Sequence, residues 1–131
     1  MPVSNAFNDI EPLKQVDFVH MDGREVFKFA TKKIVDSVSK VMEQAGVTAD
    51  EVKYFIPHQA NARIVEVAAK KLGVSYEKFY MNIERFGNTS AASIPTALNE
   101  MNEQGMLQKG DKIILCGFGG GLSWGTILLT W

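Results

Sequence analysis

The sequence is poor in the residues that build cross-links and metal sites: one cysteine and two histidines, His20 and His58, in 131 residues. A single thiol closes no intramolecular disulfide, and Cys116 with both histidines falls short of a four-ligand zinc site. No metal is therefore expected, and a reducing, cytosolic setting is the simplest reading. An excess of one charge is missing too. Fourteen Lys and Arg stand against 15 Asp and Glu, a formal net charge of -1, which leaves no basic footprint for duplex nucleic acid. No stretch approaches the roughly 18 apolar residues of a membrane span, and residues 1–10 carry no basic region followed by an apolar run. Neither membrane insertion nor secretory targeting is expected. Repeats, low-complexity tracts and internal linkers are absent as well.

What is present is a globular composition, 46% hydrophobic and 22% charged, sufficient to bury a core in one domain. Residues 1–14 mix Pro2, Ser4, Asn5, Asn8, Asp9 and Pro12 with few apolar anchors. They are expected to be a poorly ordered or extended segment ahead of a compact unit over 15–131.

From Arg24 the apolar residues Phe27, Ala30, Ile34, Val38, Val41, Met42 and Ala45 recur at helical spacing, predicting a long amphipathic helix that Gly46 stops. Thr48 and Glu51 fit a capping box for one short turn. The run Lys53–Pro57 reads as a strand ended by proline. A second helix is predicted over Asn61–Leu72, with Ile64, Val67, Ala68 and Leu72 inward, and a short strand over Lys78–Asn82. After a loop at Arg85–Thr89, a third helix spans Ala92–Glu103 with Pro95 in its first turn, where a missing N–H costs little. Strands over Lys112–Phe118 and Leu122–Trp131 close the chain, joined tightly by Gly119-Gly120-Gly121. Strands alternating with helices imply parallel pairing, and the short last connection implies an antiparallel final strand. The expected class is α/β, a mixed sheet with packed helices.

Three segments do not read as scaffold: Pro57-His58-Gln59-Ala60-Asn61, Gly87-Asn88-Thr89-Ser90 and Gly117-Phe118-Gly119-Gly120-Gly121. Each follows a predicted strand, and ligand sites in open α/β sheets gather beyond the C-terminal strand ends. His58 is either a structural histidine or a neutral donor to a developing oxyanion. Asn88 is either a turn residue or an amide donor that does not titrate. Together they would make a two-donor clamp for an enolate or thioester oxygen. The three glycines permit a backbone N–H oxyanion hole or simply a tight hairpin. They are followed by no Gly-Lys-Ser/Thr and by a strand, not a helix, so nucleotide phosphate is not the expected ligand. Cys116 lies inside a strand with no neighbouring base and reads as a buried structural thiol. Arg63, Lys70 and Lys71 share one helical surface, which is either a solvated face or a site for an acidic partner.

These segments together resemble the C-terminal half of a β-ketoacyl-acyl carrier protein synthase III, a condensing enzyme with the thiolase-like fold. The resemblance runs from Met21-Asp22-Gly23-Arg24-Glu25-Val26-Phe27-Lys28 to Trp131. It is carried by Pro57-His58-Gln59-Ala60-Asn61-Ala62-Arg63-Ile64, by Arg85–Pro95 and by Gly117-Phe118-Gly119-Gly120-Gly121-Leu122-Ser123-Trp124-Gly125. The complete enzymes of this family take an acyl group from acyl-CoA onto a cysteine. They then condense it with malonyl-acyl carrier protein, releasing carbon dioxide and starting fatty-acid synthesis.

The resemblance implies that His58 and Asn88 stabilise the enolate, that Gly120 lends a backbone N–H to the oxyanion hole and that Phe118 lines the pocket. Met21 and Asn61 would contact coenzyme A or its pantetheine arm, and Arg63, Lys70 and Lys71 would receive the acyl carrier protein. No cofactor is implied. The partners implied are acyl carrier protein, coenzyme A thioesters, the N-terminal half of the enzyme and a second subunit of a homodimer. The family's nucleophilic cysteine belongs to that N-terminal half, and Cys116 matches no catalytic position, so the chain alone is expected to be inactive in condensation. A non-catalytic module that binds carrier protein or CoA thioesters, and a polyketide-priming or quinolone-type condensing relative, would suit the same residues.

Overall fold

The computed structural model describes residues 21–131; the expected N-terminal segment and His20 lie outside the described residues. Helix α1 (Gly23–Ala45) is followed by β1 (Val52–Pro57), α2 (Ala62–Leu72), the short α3 (Ile83–Phe86), α4 (Ser93–Glu103), β2 (Lys112–Gly119) and β3 (Ser123–Thr130). The described sheet runs β1-β2-β3. Its first pair is parallel, with Phe55 opposite Ile114. Its second is antiparallel, with Cys116 opposite Thr126.

Side chains alternate across a strand, so neighbouring residues serve opposite faces. Phe55, Ile114 and Cys116 pack with Ala30, Ile34 and Val38 of α1 and Ile64, Val65 and Ala68 of α2. Ile56 and Ile113 point the other way, onto Ala97 and Met101 of α4 and Leu107. Both faces of β1 and β2 are therefore covered, which is why their sequences read as nearly unbroken apolar runs.

The helix boundaries follow their caps. Asp22 Oδ1 accepts from the N–H groups of Arg24 and Glu25 at 3.0 and 3.1 Å, which starts α1 one residue before the expected Arg24. Gly46 ends it at φ 63, a left-handed conformation that suits glycine, and Val47 N–H donates to the Met42 carbonyl at 2.9 Å. On α2, Val65 and Ala69 are buried with Ile64 and Ala68, while Val67 and Leu72 are half-buried. The inner face is thus rotated slightly from the expected one.

Two expectations are corrected. Lys78–Asn82 is not a strand: Tyr76–Lys78 is a turn of 3-10 helix, and only Phe79 bridges in parallel to Phe55. Tyr80 N–H donates to the Phe55 carbonyl at 2.9 Å, but the next available donor, Asn82 N–H, is taken by the side chain of Gln59 at 2.9 Å. That diversion stops the ladder after one bridge. The loop expected at Arg85–Thr89 begins later, since Arg85 and Phe86 complete α3.

The turn before β1 is tied down through Glu51. Its carboxylate accepts from Thr48 N–H at 2.8 Å and from Lys112 Nζ at 2.8 Å. The Thr48 hydroxyl donates to Glu51 at 3.0 Å where a full capping box would have it accept from the backbone. The hydrogen bond from Lys112, then those from Thr48, hold the Glu51 carboxyl down to about 2 from its ordinary 4.5. A depressed carboxyl adds stability at neutral pH that is lost as pH falls from about 4.5 toward 2. In an NMR titration, Lys112→Met is expected to move the Glu51 midpoint upward, toward 4.5; an unmoved midpoint would assign the depression to Thr48 instead.

Candidate functional site

The C-terminal ends of β1 and β2 and the start of α4 surround an open cleft of about 1100 Å³. His58 follows the last residue of β1, where its own N–H donates to the Cys116 carbonyl at 2.8 Å. The parallel pairing of β1 with β2 thereby sets the height of the histidine above the sheet. The imidazole Nδ1 lies 2.6 Å from Ser93 Oγ. The ring meets Phe118 edge-on, with centroids 5.2 Å apart and an interplanar angle of 68°. Burial pushes the His58 pKa below its ordinary 6.5, so the ring is neutral at pH 7.

Asn88 lies on the cleft in the loop between α3 and α4. Its Oδ1 accepts from Ser90 N–H at 2.9 Å, which engages the oxygen and leaves the Nδ2 amide without a hydrogen-bond partner among the described residues. Ser90 holds this loop with a positive φ of 52. Gly120 and Phe118 line the same cleft, as do Met21 and Asn61. Asn61 has a second task as the cap of α2, its Oδ1 accepting from Arg63 N–H at 2.9 Å. Six residues scattered over 100 positions of sequence are thus brought to one cavity. Arg63, Lys70 and Lys71 are not on it; they are exposed along α2, and none has an ion-pair partner among the described residues.

Gly121 makes the turn to β3 at φ 133, and a Cβ there would come within 3.0 Å of Ser123 N. This position requires glycine on both counts.

Cys116 is buried and faces α1. Burial pushes its thiol up, and the thiol accepts from Thr126 Oγ1 at 3.2 Å. It is no nucleophile in this setting.

Other residues of the site were not evident beforehand. Trp124 forms a wall of the cleft, edge-on to Phe29 at 5.8 Å and with Lys33 Nζ 4.0 Å from its ring centroid. Gln59, 1% exposed, braces the backbone behind His58. Its Nε2 donates to the carbonyls of Pro57 and Tyr80 at 2.9 and 3.1 Å. Asn82, equally buried, donates through Nδ2 to Glu100 at 3.0 Å, and Arg85 pairs with the same carboxylate. Among the described residues no three His, Cys, Asp or Glu groups converge on a metal position, and no helix is long and apolar enough to cross a membrane.

Helices on both faces of a mixed sheet, with polar donors gathered over the strand ends, define an α/β domain, and its structural neighbours are enzymes of the thiolase-like fold. The family model described as 3-oxoacyl-[acyl-carrier-protein] synthase III C terminal matches residues 42–131. The chain belongs to that family.

β-Ketoacyl-[acyl-carrier-protein] synthase III of Clostridium novyi is 55% identical over 131 residues, covering 100% of this chain and 40% of that protein. The Clostridium acetobutylicum enzyme is 52% identical over 129 residues, 98% of this chain and 39% of that protein. The crystal structure of 3-oxoacyl-[acyl-carrier-protein] synthase III from Aquifex aeolicus superposes with a TM-score of 0.85 at 46% identity, over 87% of this chain and 37% of that one. That from Thermus thermophilus gives 0.82 at 45%, over 86% and 35%. The chain therefore spans about two fifths of the length of the relatives it matches.

Proposed function

We propose that this chain is the C-terminal region of a decarboxylative condensing enzyme that joins an acyl group from acyl-CoA to malonyl-acyl carrier protein, and that His58 and Asn88 are its enolate-stabilising donors. The carrying observation is the pairing itself. Both residues line one cleft, and in each the atom that would compete is already engaged: Nδ1 with Ser93 and Oδ1 with Ser90. What remains, an imidazole nitrogen and an amide NH2, suits a thioester oxygen that gains negative charge as carbon dioxide leaves.

In this reading Gly120 supplies a backbone N–H to the oxyanion hole and Phe118 holds the imidazole and walls the pocket. Met21 and Asn61 lie where the pantetheine arm enters. The acyl-carrying thiol comes from residues that precede this region in the full-length relatives, because Cys116 is buried with a raised pKa. The reaction needs no cofactor or metal, and the complete enzyme works as a cytoplasmic homodimer on carrier protein and CoA thioesters.

The cations of α2, without an ion-pair partner among the described residues, support carrier-protein docking, whether or not chemistry follows. An acidic carrier is drawn to a basic face by a field that salt screens. Joined to the preceding region, the chain is expected to regain condensation. Charge reversal at Arg63 with Lys70 and Lys71 is expected to weaken carrier-protein binding about tenfold or more at low salt, with the difference shrinking as salt rises. Calorimetric titration with malonyl-carrier protein reads this directly. Equal affinity would remove the docking assignment, and no condensation by the joined protein would remove the catalytic one.

A further inference from the structure

Ser93 opens α4, yet its side chain serves the histidine across the cleft wall. It is 2% exposed. Two groups reach its oxygen: Gln59 N–H donates to Oγ at 3.3 Å, and His58 Nδ1 lies 2.6 Å away. A hydroxyl has one proton to give and two lone pairs to offer. Gln59 N–H uses one lone pair. Were Nδ1 protonated, it would use the second, and the hydroxyl proton would have to find another acceptor. Among the described residues Ser93 Oγ has no other hydrogen-bond partner. A buried hydroxyl proton without an acceptor is costly. The arrangement that satisfies every group has Ser93 Oγ–H donating to an unprotonated Nδ1, which places the ring proton on Nε2.

We propose that Ser93 is a positioning residue that fixes the tautomer of His58, so that the imidazole offers Nε2–H, a donor, and not a lone pair, to the substrate oxygen. The assignment deepens the proposed role of His58 and rests on it for its consequence, but the tautomer is a property of the unliganded chain and is measured without substrate. Phe118 contributes by packing against the ring at 5.2 Å, which limits rotation about the Ser93 contact. Without the hydroxyl, the neutral ring exchanges its proton between both nitrogens and presents an acceptor to the oxyanion for part of the time. That would lower turnover more than substrate affinity.

Long-range 1H–15N correlation spectra of the 15N-labelled chain at pH 8 read the tautomer, and His20→Gln assigns the remaining histidine signals. The expected spectrum has a protonated Nε2 and an unprotonated Nδ1. In Ser93→Ala the two nitrogen shifts are expected to move toward each other as the tautomers exchange, while Ser93→Thr, which keeps the hydroxyl, holds them apart. In the protein joined to its preceding region, Ser93→Ala is expected to lower kcat for malonyl decarboxylation about tenfold with little change in KM. An Nδ1–H ring in the unsubstituted chain overturns the proposal, and so does an unchanged tautomer in folded Ser93→Ala. If Ser93→Ala fails to fold, the unsubstituted spectrum still decides. If Nε2–H is found but His58→Ala retains decarboxylation, the functional reading fails and the positioning role stands.

Discussion

Replacing His58 with alanine in the protein joined to its preceding region is expected to slow decarboxylation of malonyl-carrier protein by about 10²–10³-fold, and Asn88→Ala by a similar factor. The magnitude follows from where the charge appears. In the proposed reaction, loss of carbon dioxide would leave an enolate whose negative charge rests largely on the thioester oxygen, in a cleft walled by Phe27, Ile94, Phe118 and Trp124. A donor aimed at that oxygen against these apolar walls does more than the same donor in bulk water. Burial holds the His58 pKa below 6.5, so at pH 7 the donor is a neutral imidazole, which has one N–H to give and one nitrogen left to accept. If both donors serve one oxygen, as proposed, the double variant is expected to lose less than the product of the single losses. Carbon dioxide release, measured beside an unfolding curve for each variant, checks this. A loss below about tenfold for both single variants, with folding intact, would remove them from the reaction.

The parts of this site that sequence patterns reveal are those set by local rules. His58, Phe118 and Gly120 follow or flank a strand end, where an α/β sheet collects its ligands; Asn88 lies on the same cleft but follows helix α3, because the strand expected before it is a 3-10 turn and a single bridge. The period of α1 and its glycine stop are equally local, because burial of one face and the left-handed cap are decided within a few turns. Lys78–Asn82 misleads for the opposite reason. Its aromatic content suits a strand, but a strand needs a neighbour along its length, and Gln59, more than twenty residues earlier, takes the Asn82 N–H that the ladder would have used. Ser93 is hidden in a similar way. It reads as one small residue among several at a helix start, and only the fold brings its hydroxyl to His58, 35 residues away. Long-range polar contacts leave no periodic trace, so the donors proposed to meet substrate are easier to find than the residues that hold them.

Gln59→Leu is expected to destabilise the chain by about 3–5 kcal/mol, a large fraction of the stability of an ordinary domain. Leucine nearly fills the space but makes none of the three bonds. Asn82 N–H loses its acceptor, and the carbonyls of Pro57 and Tyr80 lose their donor. Each buried group left unpaired costs about 1–3 kcal/mol. The three sit around a side chain that is 1% exposed, so water reaches them poorly. Urea unfolding measures the loss, and a change below about 1 kcal/mol would mean that water replaces the amide. Gln59→Glu separates the two halves of the brace. Its carboxylate still accepts from Asn82 N–H but faces two carbonyl oxygens, which raises its folded pKa above the ordinary value of about 4.3. Protonation restores one donor. The variant is therefore expected to be most stable in acid and to lose stability as pH rises from about 4.3 through the raised pKa. In the protein joined to its preceding region, Gln59 substitutions should reduce activity in proportion to the unfolded fraction, whereas His58→Ala should slow decarboxylation by about 10²–10³-fold with a much smaller shift of the unfolding midpoint.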